Sequence, residues 1–153
     1  MIVYRLAKEK YKHDLSGKGA EIAGGRWNSA GHAMLYTSES RALCTAEIAV
    51  HSPLGILPKD YCLISIEIPD SIDIKDLKAA QLPEDWASVP HAISTQLIGD
   101  KFFKEGKYAV MKVPSVVVPG DYNYLVNPLH DVFAKVKVKK TERFSFEKRL
   151  FVL

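Results

Sequence analysis

The stretch Ala33-Met34-Leu35-Tyr36-Thr37-Ser38-Glu39-Ser40-Arg41-Ala42-Leu43-Cys44-Thr45-Ala46-Glu47-Ile48-Ala49-Val50-His51 changes character part-way along. Ala33 to Thr37 is apolar with a β-branched end and reads as a strand. Ser38 is a candidate N-cap, and Glu39 is well placed in a first helical turn. The helix this predicts runs to about His51 and stops before Pro53. At helical spacing Leu43, Ala46, Glu47 and Val50 share one face, so a carboxylate lies within an apolar stripe. Charged groups are rarely buried unless paired. Glu47 is therefore an ion-pair partner, a residue on the stripe's margin, or a carboxylate held in a cleft to meet a developing cation.

Toward the N-terminus, Ile2 to Leu6 reads as a strand. Lys8 to Asn28 reads as a long, charged loop carrying Gly17, Gly19, Gly24 and Gly25. A loop of that length inside a compact domain points to function. Toward the C-terminus, Tyr61 to Ile68 is a clear strand closed by Pro69-Asp70, and Ser71 to Trp86 has no dominant period. Pro90 to Lys107 reads as a second helix, with Ile93, Leu97, Ile98, Phe102 and Phe103 apolar and Gly106 as its stop. Tyr108 to Val113 is a strand broken at Pro114, Ser115 to Val118 stays extended, and Asn123 to Val126 is a short strand or turn. In Phe133 to Lys139, Ala134, Val136 and Val138 alternate with lysines, which predicts a strand with one face in the core and one in water. Phe144 to Phe146 is a candidate last strand. No repeat or linker divides the chain, so one domain over 1–153 is expected, of the α+β class.

The composition, 47% hydrophobic and 25% charged, is that of a globular protein able to bury a core. No run reaches the ~18 apolar residues of a membrane span, and the N-terminus lacks a signal-peptide pattern. Cys44 and Cys62 are too few for a disulfide framework, and a cytoplasmic location is expected. The net charge is +3, with seven basic against two acidic residues between Ala134 and Arg149. On an alternating strand those lysines read as a solvated face that also blocks edge pairing. The lysine strand lacks the interleaved aromatics of a nucleic-acid platform. A non-catalytic nucleic-acid-binding module is therefore the weaker alternative.

Arg26 follows Gly24-Gly25 and precedes Trp27-Asn28. Glycines permit sharp turns and close approach of a ligand, and a guanidinium there matches phosphate or carboxylate. The plain alternative is a surface arginine in a loop. Arg5 is expected at an outward position of its strand. Neither dinucleotide nor triphosphate glycine motif is present. Ser115, after Pro114, has no nucleophile-elbow context, but its hydroxyl at a strand break could meet a ligand. The five histidines form no i, i+4 pair, so no metal site is expected. Arg26, Tyr36 and Glu47 together suit a small anionic ligand that carries a sugar, with an oxidised nicotinamide nucleotide as the sharpest candidate.

In order along the chain stand Tyr4-Arg5, Gly24-Gly25-Arg26-Trp27-Asn28, Leu35-Tyr36-Thr37-Ser38, Ala46-Glu47 and Val113-Pro114-Ser115. Asn123-Tyr124-Leu125-Val126-Asn127-Pro128-Leu129-His130 and Phe144-Ser145-Phe146-Glu147-Lys148-Arg149-Leu150 follow. This succession resembles the RES domain family, with Arg26, Glu47 and Ser115 matching the residues for which it is named. Glu147 departs from the aspartate usual in the closing motif. The resemblance implies mixed, largely antiparallel β-sheets with a few flanking helices, similar to ADP-ribosyltransferases. It also implies an NAD⁺-consuming toxin of a bacterial toxin–antitoxin pair that cleaves the nicotinamide–ribose bond by hydrolysis or phosphorolysis, or a protein ADP-ribosyltransferase using the same site. NAD⁺ would be substrate, with no prosthetic group. Arg5 and Arg26 would hold the pyrophosphate, Glu47 would meet the ribose, and Tyr36 would contact the nicotinamide riboside. Ser115 would contact the ligand or orient an arginine, and Asn127 would be a further ligand contact. The implied partner is an Xre-type helix-turn-helix antitoxin that blocks the cleft and alone touches DNA, with a toxin homodimer within the complex as one arrangement.

Overall fold

A computed structural model describes residues 1–152. Seven strands form one sheet: β1 (Ile2–Lys8), β2 (Leu35–Ser38), β3 (Tyr61–Glu67), β4 (Ile74–Asp76), β5 (Val110–Pro114), β6 (Tyr122–Val126) and β7 (Lys137–Phe144). Three helices accompany them: α1 (Lys18–Ala23), α2 (Arg41–His51) and α3 (Ile93–Glu105). The strand order is β4-β5-β6-β2-β1-β3-β7, and every pairing is antiparallel except β4 with β5. This is the mixed, largely antiparallel α+β architecture expected.

The sheet is two half-sheets joined at one point. β1 pairs with β3 from Ile2↔Glu67 to Lys8↔Tyr61, and β2 pairs with β6 along its whole length. β1 and β2 meet only at Tyr4↔Ser38. Beyond that pair, Arg5 to Lys8 and Thr37 to Leu35 have no register partners in each other's strand.

Strand alternation divides the core. On one face Val3, Ile64, Ile66, Leu35, Tyr124, Val126 and Val110 pack together. On the other, Leu6, Leu63, Cys44 and Phe146 form a cluster beneath α2, and Trp27, Met34, Met111, Val113, Leu125 and Phe102 form one beneath α3. α2 and α3 thus cover neighbouring parts of the same face.

Several expectations are corrected. The N-cap of α2 is Ser40, whose hydroxyl accepts from the Leu43 amide; Ser38 is the last residue of β2. Val50 is exposed, while Leu43 and Cys44 are buried and Ile48 packs beside Cys44. The apolar stripe is therefore rotated, and Glu47 lies on its flank. Lys8 to Asn28 is not all loop, since it contains a 3₁₀ turn at Glu9–Tyr11 and α1. Asp131–Lys135 is a 3₁₀ turn, and β7 begins only at Lys137. Val136 is buried but Val138 is 41% exposed, so the first half of β7 has no core face, and only its far end packs inward, with Phe144 against the cluster of Leu6, Leu63 and Phe146. β7 is an outer strand, where lysines suit a free edge. Phe144 ends β7, and Phe146 instead stacks edge-on with Tyr61, Phe144 and Phe151. In α3 the expected apolar positions Ile93 and Leu97 are exposed, whereas Thr95, Gly99, Asp100 and Phe102 are buried.

Candidate active site

Where α2 crosses the joined half-sheets, Glu47 meets two donors. Ser115 Oγ donates to Glu47 Oε1 at 3.0 Å, and Asn123 Nδ2 donates to the same oxygen at 2.7 Å. Among the described residues both bonds land on Oε1, which leaves Oε2 for a further donor. Ser115 is itself fixed: its Oγ accepts from the Val117 and Val118 amides at 3.0 and 3.1 Å, and its own amide donates to Asp121 O. Asn123 is steadied by Ser38 Oγ, which donates to its Oδ1 at 2.8 Å. Asn123 and Ser38 are direct partners across β6 and β2, so sheet register aims the amide at the carboxylate. Among the described residues the partner that the Ser115 hydroxyl donates to is Glu47. Sequence reasoning missed Asn123 and Ser38 as site residues. The usable signal was the polar residue at Asn123, two positions before Leu125 and hence on the same strand face.

The Gly24–Asn28 loop closes on itself through the Gly25 amide and Asn28 O, 2.9 Å apart. Asn28 is fully buried. Its Nδ2 donates to Ala20 O and His32 O, and its Oδ1 accepts from the Tyr36 hydroxyl at 2.7 Å. The Tyr36 oxygen also accepts from the Trp27 amide. Burial pushes the Tyr36 phenol well above its ordinary range, opposed by the Trp27 amide bond and the Arg26 charge. A Cβ on Gly25 would sit 2.7 Å from the Tyr36 hydroxyl. The space this glycine leaves is therefore filled by tyrosine, not by a ligand. Tyr36 anchors the loop through its hydroxyl and offers only its half-buried ring outward.

Arg26 projects from that loop. Its Nη1 donates to Trp86 O at 3.0 Å and Ser88 O at 2.9 Å. Burial lowers its pKa, while the Glu47 carboxylate and the Tyr36 phenol act to raise it. Arg26, Tyr36 and Glu47 are thus brought into one neighbourhood. Arg5 is half-buried within β1, where desolvation lowers its pKa against the opposing influence of Asp14 and Cys44. It is not the outward residue that alternation suggested, and its Nε has no hydrogen-bond partner among the described residues. A buried guanidinium nitrogen without an acceptor is costly. Asn127 does not join the group. It follows the far end of β6 from Asn123, and its Oδ1 accepts from the Leu129 amide in a tight turn. Among the described residues no three His, Cys, Asp or Glu side chains gather as a metal site.

A family model described as "RES domain" matches residues 2–147. A Sphingobium protein described as "Prs ADP-ribosylating toxin" is 36% identical over 139 residues, covering 90% of this chain and 86% of the relative. Two proteins described as "Toxin Res" match almost end to end. The one from Photorhabdus laumondii is 36% identical over 98% of this chain and 97% of its own. The one from Yersinia enterocolitica is 34% identical over 98% and 99%. Among solved structures, the MbcT–MbcA toxin–antitoxin complex of M. tuberculosis contains a chain that superposes with a TM-score of 0.75 at 20% identity, covering 94% of this chain and 84% of that one. That likeness concerns the fold.

Proposed function

The chain belongs to the RES domain family, and from that premise we propose that it is an NAD⁺-consuming toxin of a bacterial toxin–antitoxin pair. The observation that carries the reading is the Glu47 carboxylate, held through one oxygen by Ser115 and Asn123 with Arg26 close by. The names of the relatives support it: two are called toxins of this family and one an ADP-ribosylating toxin, an activity whose donor is a nicotinamide dinucleotide.

The glycosidic bond of NAD⁺ breaks through an oxocarbenium-like state, as in other glycosyl transfers. The C–N bond electrons leave with nicotinamide, which departs neutral and needs no general acid. An acceptor oxygen then bonds to the anomeric carbon and gives up its proton. The protein's part is positioning and electrostatics. Arg26, with Arg5, holds the pyrophosphate. Glu47 Oε2 accepts from a ribose hydroxyl and stabilises the cationic sugar. The ring of Tyr36 packs against the nicotinamide riboside. Water or phosphate is the acceptor in this reading.

A protein acceptor is the second reading, favoured by the description of the Sphingobium relative. The partner is an Xre-type antitoxin that covers the site, and the working compartment is the cytoplasm. Incubation of the purified, antitoxin-free protein with NAD⁺ labelled in its ADP-ribose half tests this. Label in free ADP-ribose, or in its phosphate when phosphate is supplied, supports the first reading. Label on protein supports the second, and intact NAD⁺ under all conditions overturns both.

A further inference from the structure

Arg26 is gripped at both ends by one helix and the segment leading into it. Gln96, Gly99 and Asp100 of α3 are spaced i, i+3 and i+4 and so share a face. Gln96 Nε2 donates to Gly25 O at 3.1 Å and Asn28 O at 3.2 Å, the carbonyls on either side of Arg26-Trp27. The loop lies so close that a Cβ on Gly99 would come 1.5 Å from Trp27 O. Asp100, 7% exposed, accepts from the Ser29 amide at 2.9 Å and from the Ser29 hydroxyl, with His32 Nδ1 beside it. At the other end, the guanidinium sits on Trp86 O and Ser88 O. That segment is tied to the first turn of α3 by Ser94 Oγ, which donates to Asp85.

The arrangement explains the inverted pattern of α3. A helix that buries an aspartate and a glycine while exposing Ile93 and Leu97 is not seated by apolar packing alone. Its polar face is seated on the arginine loop. We propose that Gln96, Gly99 and Asp100 form a positioning frame that fixes Arg26 before the dinucleotide arrives. This rests on the reading of Arg26 as the pyrophosphate clamp. A free arginine side chain carries rotamer entropy, and a pre-set clamp does not lose it on binding. The pyrophosphate keeps its charge through the reaction, so the frame acts on ground state and transition state alike and shows in KM.

Steady-state nicotinamide release by Gln96→Ala, Arg26→Ala and the double variant tests this. Gln96→Ala is expected to raise KM about tenfold with kcat within about twofold. In the Arg26→Ala background it is expected to add almost nothing, because it works through that side chain. Thermal unfolding checks that each variant is folded. Should Gln96→Ala unfold, Asp100→Asn, which keeps the shape and one acceptor for Ser29, gives the same readout. An unchanged KM, a loss confined to kcat, or full additivity with Arg26→Ala overturns the frame while the NAD⁺ reading stands. Wild-type protein that releases no nicotinamide overturns both.

Discussion

Ser115 shows how a single hydroxyl can serve stability and chemistry together. It satisfies two backbone amides and donates to Glu47. Ser115→Ala therefore leaves two half-buried amides without their partner and should lower stability by about 1–2 kcal/mol, read from urea unfolding. It should also slow NAD⁺ cleavage, though less than a change at Glu47, since Asn123 still holds the carboxylate. Tyr36 and Cys44 make a second point at this scale. Burial holds both protonated, pushing the Cys44 thiol up to about 12 and the Tyr36 phenol higher than its ordinary value. The unfolded chain gives up these protons first, from about pH 8.5 for a thiol and about 10 for a phenol. That contribution to stability is complete below this range and falls as pH climbs through it. The urea midpoint should therefore drop between about pH 9 and 11, and Cys44→Ala should flatten the early part of the fall. These roles were only partly legible. Arg26, Tyr36 and Glu47 could be picked out by residue type and local context, but a hydrogen bond between residues 68 or more positions apart leaves no local trace.

The strands β1, β2, β3 and β5 and both longer helices are legible as continuous runs, whereas Asn123 to Val126 reads equally as a strand or a turn and proves to be β6. β7 was misplaced for a physical reason. Alternating valine and lysine signals a strand with two unlike faces, yet from Lys137 to Lys140 both faces of this edge strand are exposed. Val138→Thr should accordingly change stability by less than about 0.5 kcal/mol. Val136→Ala, which removes two buried carbons just before the strand, should cost about 1.5–2 kcal/mol. Paired urea titrations decide it, and equal losses would restore a core face to β7. The α3 helix was located correctly but its buried face was not. Hydrophobic periodicity assumes that apolar residues choose the face, and here Gln96, Gly99 and Asp100 choose it by holding the loop.

Across the whole molecule, the single Tyr4↔Ser38 pair between half-sheets is the feature that no reading of separate segments could supply. It is the one register pair between β1, with Arg5, and β2, with Tyr36, while Glu47 of α2 bonds to Asn123, the partner of Ser38 across β6 and β2. The order of motifs along the chain, rather than any one of them, identified the RES family and hence this architecture. The central claim is that the assembled group cleaves NAD⁺ with Glu47 stabilising the sugar cation, and Glu47→Gln isolates it, because the amide oxygen can still accept from Ser115 and Asn123 while the charge is gone. The direct measurement is nicotinamide release from NAD⁺ by wild-type and Glu47→Gln protein, compared at equal folded fraction. The account predicts multiple turnovers by the wild type and a rate lower by about a hundred- to a thousandfold in the variant. A folded Glu47→Gln protein with the full wild-type rate would contradict it.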